Sequence, residues 1–255
     1  MKASIPKTAL VTGSAKRLGA AIAEDLARHD FAIAIHGNGS FAEAEALAAR
    51  LRAEGRKAIA LKADLCDAEE TAELMRMATA ELGPVGLLVN NASVFLEDSA
   101  ESFNADHFAQ HFDLHVRAPA ILSAALLQQL PPDAHGLIVN IIDQRVLALT
   151  PRFFSYTLSK SALMTATHTM AQAFAPRVRV NAIGPGPTLK SVRQAEADFQ
   201  AQIDALPLEQ GPRLEEFGQT IRFLFDTPSI TGQMIALDGG QHLAWRVPGA
   251  TEINE

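Results

Sequence analysis

The sequence predicts one doubly wound α/β domain over residues 1–255, a seven-stranded parallel sheet flanked by helices on both faces. Three observations carry this expectation. Short, largely apolar runs alternate with longer amphipathic ones, the short runs are apolar on both sides rather than alternating, and no composition shift marks a domain boundary along the 255 residues. A strand that is apolar on both sides is buried on both faces, as in a parallel sheet covered by crossover helices. Right-handed βαβ crossovers then place ligands at the carboxyl ends of the strands.

The runs expected as strands are, in order, Lys7–Val11, Phe31–Ile35, Lys57–Lys62, Gly86–Val89, Gly136–Ile142, Val178–Ala182 and Gln233–Leu237. Between them, apolar residues at three and four spacing predict helices over Leu18–Arg28, Ala42–Glu54, Ala68–Leu82, Ala105–Gln129 and Phe154–Phe174. Residues 187–213 break the rhythm with polar and Ala-rich sequence and are expected to form a substrate lid. A short extension, 241–255, follows the last strand, and its Trp245 is open to a role over the site, against a neighbouring subunit or at the surface.

Composition narrows the function. A formal charge of −7 argues against a protein that grips a phosphate backbone, because that affinity comes from clustered Lys and Arg; no nucleic-acid partner is expected. The single cysteine, Cys66, has no Cys or His at ligand spacing nearby, so an inert buried thiol is expected and no metal site. The N-terminal run MKASIPKTALVTG enters a strand without an apolar signal-peptide core, and no stretch approaches a membrane span. A cytoplasmic protein that engages no membrane is expected.

Directly after the first strand, Thr12-Gly13-Ser14-Ala15-Lys16-Arg17-Leu18-Gly19 opens a helix whose N–H groups and dipole suit a pyrophosphate. The second strand ends in Ile35-His36-Gly37-Asn38-Gly39-Ser40, without the acid that would meet a ribose 2′-hydroxyl. Arg17, His36, Asn38 and Ser40 are donors suited to a 2′-phosphate, so NADPH/NADP+ is favoured; the alternative is an ordinary polar turn. Further on stand Ala63-Asp64-Leu65, Asn90-Asn91-Ala92, Tyr156-Thr157-Leu158-Ser159-Lys160, Pro185-Gly186-Pro187-Thr188 and Asp238-Gly239-Gly240.

With these motifs in this order, the chain resembles the short-chain dehydrogenase/reductase family, which has a Rossmann fold, over nearly its whole length. The resemblance implies cofactor contacts at Gly13, Lys16, Arg17, Leu18, Gly19, His36, Asn38, Ser40, Asp64, Leu65, Asn91, Ala92, Ser93, Tyr156, Lys160, Pro185, Gly186 and Thr188. Asp64 would lie by the adenine. It also implies a homotetramer built through helix pairs that include the Tyr-Lys helix.

Tyr156 and Lys160 are four apart on a predicted helix and share a face. An ammonium near a phenol favours the phenolate, which is expected to lower the tyrosine pKa, and the phenol can protonate a substrate as hydride arrives. Tyr156 is the expected general acid; by resemblance Lys160 holds the nicotinamide ribose and tunes it.

Thirteen positions before the tyrosine the family usually carries serine, and here stands Asp143. A carboxylate would repel a developing oxyanion, whereas a protonated or water-linked Asp suits delivery of a proton to nitrogen, so a carbon–nitrogen double bond is the better substrate. This Asp-Tyr-Lys set is similar to that of pteridine reductases and the related short-chain dihydromonapterin and dihydrofolate reductases. Arg17 in place of the middle glycine and Asn90-Asn91-Ala92-Ser93-Val94-Phe95 strengthen the likeness. It implies a substrate site of Arg17, Ser93, Phe95, Asp143 and Tyr156, with a pterin ring stacked on Phe95. Asp143 and Tyr156 both remain open as the proton donor to a given bond. His115 occupies the helix position of a relay Asn in many members, and its role is open. The alternatives are an NADPH-dependent carbonyl reductase acting on 3-oxoacyl groups or another small ketone, and a non-catalytic NADPH-binding sensor.

Overall fold

A computed structural model describes residues 4–190 and 195–244. Seven strands, β1 (Thr8–Val11), β2 (Ala32–Gly37), β3 (Ala58–Lys62), β4 (Leu87–Asn90), β5 (Gly136–Ile141), β6 (Val178–Pro185) and β7 (Met234–Leu237), form one sheet in the order β3-β2-β1-β4-β5-β6-β7. Every pairing is parallel. The predicted sheet is therefore present strand for strand.

The helices are α1 (Arg17–Arg28), α2 (Phe41–Ala53), α3 (Ala68–Leu82), α4 (Ala105–Phe112), α5 (Ala118–Gln129), α6 (Phe154–Phe174), α7 (Glu196–Asp204) and α8 (Leu214–Asp226). Alternation along the strands splits the core in two. In β1, Ala9 and Val11 join a cluster with Ile22, Leu26, Leu47, Phe217 and Ile221 from α1, α2 and α8, while Leu10 joins Leu74, Met75, Leu122 and Leu126 from α3 and α5. Burying an aliphatic side chain of this size contributes about 1.5–3 kcal/mol, so both sheet faces need their helices. Asp67 caps α3 by accepting from the Glu69 and Glu70 N–H groups, and Asn104 caps α4 through the His107 N–H.

Two elements differ from the sequence expectation. The helix expected over Ala105–Gln129 is continuous but carries a π-turn, Asp113–Arg117, between α4 and α5. The helix α8 was not expected; it packs on α1, where Arg222 Nε donates to Asp25 Oδ2 at 2.8 Å and Gly218 lets the helices close. The lid region holds α7, with residues 191–194 outside the described residues. Gln241–Leu243 make one 3-10 turn, and Trp245 with the rest of the extension also lies outside the described residues.

The chain runs from β1 outward to β3, then crosses to β4 and outward to β7, so strand order reverses between β1 and β4. Their carboxyl ends open the crevice where such sheets bind ligands.

Candidate active site

A cleft of roughly 530 Å³ lies at that switch point. Its walls bring together nearly all the expected site residues: Gly13 and Lys16 to Gly19 from the first turn, His36, Asn38 and Ser40 beyond β2, Asp64 and Leu65 beyond β3, Asn91 to Ser93 beyond β4, Asp143, Tyr156 and Lys160, and Pro185 and Gly186 from β6.

Close packing dictates the glycines of the first turn. Gly13 has φ +60°, and a Cβ there would sit 2.8 Å from Ala92 Cα; at Gly19 a Cβ would meet the Gly13 carbonyl at 2.4 Å and Asn91 Nδ2 at 2.5 Å. Asn91 ties the turn to β4, its Nδ2 donating to the Thr12 and Gly13 carbonyls at 2.9 and 3.0 Å. Arg17 has φ +55°, in the left-handed region that a glycine would occupy without strain. Its guanidinium donates to the Leu189 and Lys190 carbonyls, bridging the turn to the start of the lid.

His36 takes a different part from the one expected of it. It is 3% exposed, Nδ1 accepts from the Gly13 N–H at 3.0 Å, and Nε2 faces the Ala63 carbonyl at 3.0 Å. Because Nδ1 must accept, Nε2 carries the proton; the ring braces the turn and has no donor left for a phosphate. Burial pushes its pKa below 6.5, against opposing contributions from Ala63 and Asp64. The remaining donors at this end are Lys16, Arg17, Asn38 and Ser40. Lys16 is paired with Glu43 across 2.5 Å at the surface.

Asp64 accepts from the Cys66 N–H at 2.9 Å. Cys66 is only half-buried and lines the cleft, where burial and Asp64 raise its thiol pKa and keep it protonated. Phe95 and Thr188 stand outside the cleft wall, the Thr188 hydroxyl donating to the Gly186 carbonyl at 3.0 Å.

At the inner end, Tyr156 Oη donates to Asp143 Oδ2 at 2.9 Å, and Asp143 Oδ1 accepts from the Arg145 N–H at 2.8 Å. Burial and the Asp143 carboxylate push the phenol well above its ordinary 10, with Arg145 and Ser93 opposing weakly. The expected lowering of the tyrosine pKa is thus reversed. Its cause is that Asp143 stands against the hydroxyl, whereas Lys160 Nζ lies over the ring, 5.7 Å from its centroid. Lys160 is 2% exposed, donates to the Ile141 carbonyl at 2.9 Å, and is lowered by burial to about 8 despite Asp143.

Phe95 stacks on Phe153 at 4.0 Å and meets Tyr156 edge-on at 4.6 Å. Phe153, at φ +58°, is the residue that precedes α6, so the aromatic platform is built on a strained residue.

Sequence reasoning missed Val94, Gln110, Leu114, Ile141 and Ile142 in the wall. Gln110 and Leu114 sit at helical spacing on the predicted 105–129 helix; nothing in the sequence told which face turned to the cleft.

Residues 7–201 match the family model for short chain dehydrogenases, and the chain belongs to that family. Solved structures that share its shape include two FolM proteins. FolM alternative dihydrofolate reductase 1 from Brucella canis, complexed with NADP, is 51% identical, with a TM-score of 0.94 over 98% of this chain and 99% of its own. Its counterpart from Brucella suis, in complex with NADP, is 53% identical, with a TM-score of 0.93 over 97% of this chain and 99% of its own. A 3-oxoacyl-[acyl-carrier-protein] reductase from Staphylococcus epidermidis is 26% identical over 93% of this chain and 99% of its own.

Proposed function

We propose that this protein is an NADPH-dependent reductase of a pterin-type ring, a dihydropterin or dihydrofolate. The observation that carries the reading is the 2.9 Å hydrogen bond from Tyr156 to Asp143 at the position where a carbonyl-polarising serine usually stands. Two fixed carboxylate oxygens there disfavour a growing oxyanion and favour a ring nitrogen that must gain a proton. The likeness to two NADP-complexed FolM dihydrofolate reductases supports the same substrate class.

The residues present fit NADPH. The β2 end carries Asn38 and Ser40 without an acid, Lys16 and Arg17 face it across the cleft, and the first turn presents the start of α1. Bound there, NADPH supplies the hydride. Asp143 and Tyr156 hold one proton between them and deliver it to the adjacent nitrogen. The Lys160 ammonium, mostly charged at neutral pH, steadies the negative charge left behind and holds the ribose. Asp64 lies at the adenine end, Ser93 beside the phenol, and Phe95, just beyond the cleft wall against Tyr156, is the platform on which the flat ring would stack at hydride-transfer distance. Arg17 joins the pyrophosphate end, the lid and the substrate.

We place residues 1–255 in one domain with the lid at about 187–213 and 241–255 as a C-terminal extension. We place the protein in the cytoplasm as a homotetramer joined through the helices that include α6. Among the described residues no helix is long and apolar enough to cross a membrane.

The test is NADPH oxidation with dihydrobiopterin, dihydromonapterin and dihydrofolate beside an acetoacetyl thioester. Turnover on the pterins supports the reading; turnover confined to the thioester identifies a carbonyl reductase.

A further inference from the structure

The π-turn between α4 and α5 sets two buried imidazoles, His111 and His115, one above the other with centroids 5.5 Å apart and planes 22° apart. Each sits between the segment after β4 and the helix α6. The Leu96 N–H donates to His111 Nε2 at 3.2 Å, and His111 Nδ1 lies 2.8 Å from Ser155 Oγ. One turn on, the Val94 N–H donates to His115 Nε2 at 3.3 Å, the Ser93 hydroxyl lies 3.0 Å from the same nitrogen, and His115 Nδ1 lies 2.8 Å from Ser159 Oγ. The contacts repeat in register. Residues two apart in an extended segment match residues four apart on two helices, because both steps are about 6–7 Å.

The chemistry fixes the proton positions. A backbone N–H only donates, so both Nε2 atoms must accept and both Nδ1 atoms must carry the hydrogen. The Ser159 hydroxyl donates on to the Tyr156 carbonyl at 2.7 Å, leaving its oxygen to accept from His115. Groups around the pair agree with neutral rings: burial lowers both, Lys160 lowers both, and Asp98 opposes at His111. Both rings also meet Tyr156 edge-on, at 5.7 and 5.5 Å.

We infer that His111 and His115 are positioning residues, a two-rung imidazole ladder that locks residues 93–96 onto the helix carrying Tyr156 and Lys160, and so sets Ser93 and Phe95 against the phenol. The inference rests on the pterin reading for what Ser93 and Phe95 bind. His115 does this by gripping the loop from Nε2, so its task is substrate placement rather than proton transfer. The ladder fixes the 4.6 Å edge-on contact of Phe95 with Tyr156, and with it the placement of the Phe95 ring on which a planar substrate would stack.

His115→Asn keeps a donor near Ser159 but cannot reach the loop, whereas His115→Gln carries an acceptor out to the place of Nε2. Two measurements test the ladder: steady-state kinetics with dihydrobiopterin and NADPH, and hydrogen exchange of residues 93–97. In His115→Asn, KM for the pterin is expected to rise about three- to tenfold, with kcat and KM for NADPH little changed and exchange at Val94 accelerated; His115→Gln restores both. Equal pterin KM and exchange in wild type and both variants overturns the ladder, as does fast exchange of the Val94 and Leu96 amides in the wild-type protein even if the variants fail to fold. Exchange needs no substrate. A wild type that reduces no pterin but protects these amides therefore refutes the substrate reading while the ladder stands.

Discussion

At Tyr156 and Lys160 the competing costs are explicit. The phenol is held protonated by burial and by Asp143, the state a proton donor requires, so Tyr156→Phe should lower turnover at least about 100-fold while NADPH still binds, as a fluorescence titration would show. Lys160 carries the opposite burden. The gap between its ordinary 10.5 and about 8 means that burying the ammonium costs roughly 3 kcal/mol at neutral pH. Its pKa is lowered on folding, so the unfolded chain binds the extra proton between pH 8 and 10.5 and the penalty fades only as pH rises through that window. Lys160→Met should therefore raise stability in urea at pH 7, by up to about 3 kcal/mol, while turnover collapses; a less stable variant would contradict the account. In the wild type, activity should fall as pH rises through about 8, where the ammonium is lost. The pair was legible in the sequence because Y-x-x-x-K places both side chains on one helical face. The direction of the tyrosine shift was not, since it depends on whether Asp143 or Lys160 stands nearer the hydroxyl.

Among the elements, the first turn and the 105–129 helix show how local rules are broken where a site is built. Arg17 holds a left-handed conformation that costs a side chain about 1–2 kcal/mol, and its guanidinium spans to the Leu189 and Lys190 carbonyls. Arg17→Gly should leave thermal stability equal or higher while KM for the pterin rises; a large loss of stability would show that the lid contact, not the strain, dominates. The sequence disclosed this turn through its glycines and disclosed the long helix through its periodicity. It did not disclose the π-turn, because a single widened turn leaves three and four spacing intact on either side. The helix α8 was also hidden: Phe217, Ile221 and Leu224 have helical spacing, but they follow a long polar stretch that draws attention to the lid. His36 was misjudged for a related reason. Its position at the end of β2 was readable, but the two backbone partners that consume its ring nitrogens, Gly13 and Ala63, come from the segments just after β1 and β3, far away in sequence.

For the molecule as a whole, the alternation of buried strands and amphipathic helices was enough to give the sheet, because a parallel sheet leaves few other ways to cover both faces. Three imidazoles, His36, His111 and His115, are folded neutral, each with its pKa below the ordinary 6.5. A lowered histidine stabilises the fold above the unfolded value and loses that contribution as pH falls below about 6.5, at up to about 1.4 kcal/mol per pH unit for each ring that stays neutral. Urea midpoints should thus drop steeply between pH 6.5 and 5, and a flat profile would contradict the assigned neutral rings. The central claim, that Asp143 in the serine position makes this a reductase of a carbon–nitrogen bond, is tested most directly by NADPH oxidation with dihydropterins, dihydrofolate and an acetoacetyl thioester, in wild type and Asp143→Ser. The account predicts turnover on a pterin that Asp143→Ser abolishes. Turnover on the thioester alone, undiminished by the substitution, would contradict it.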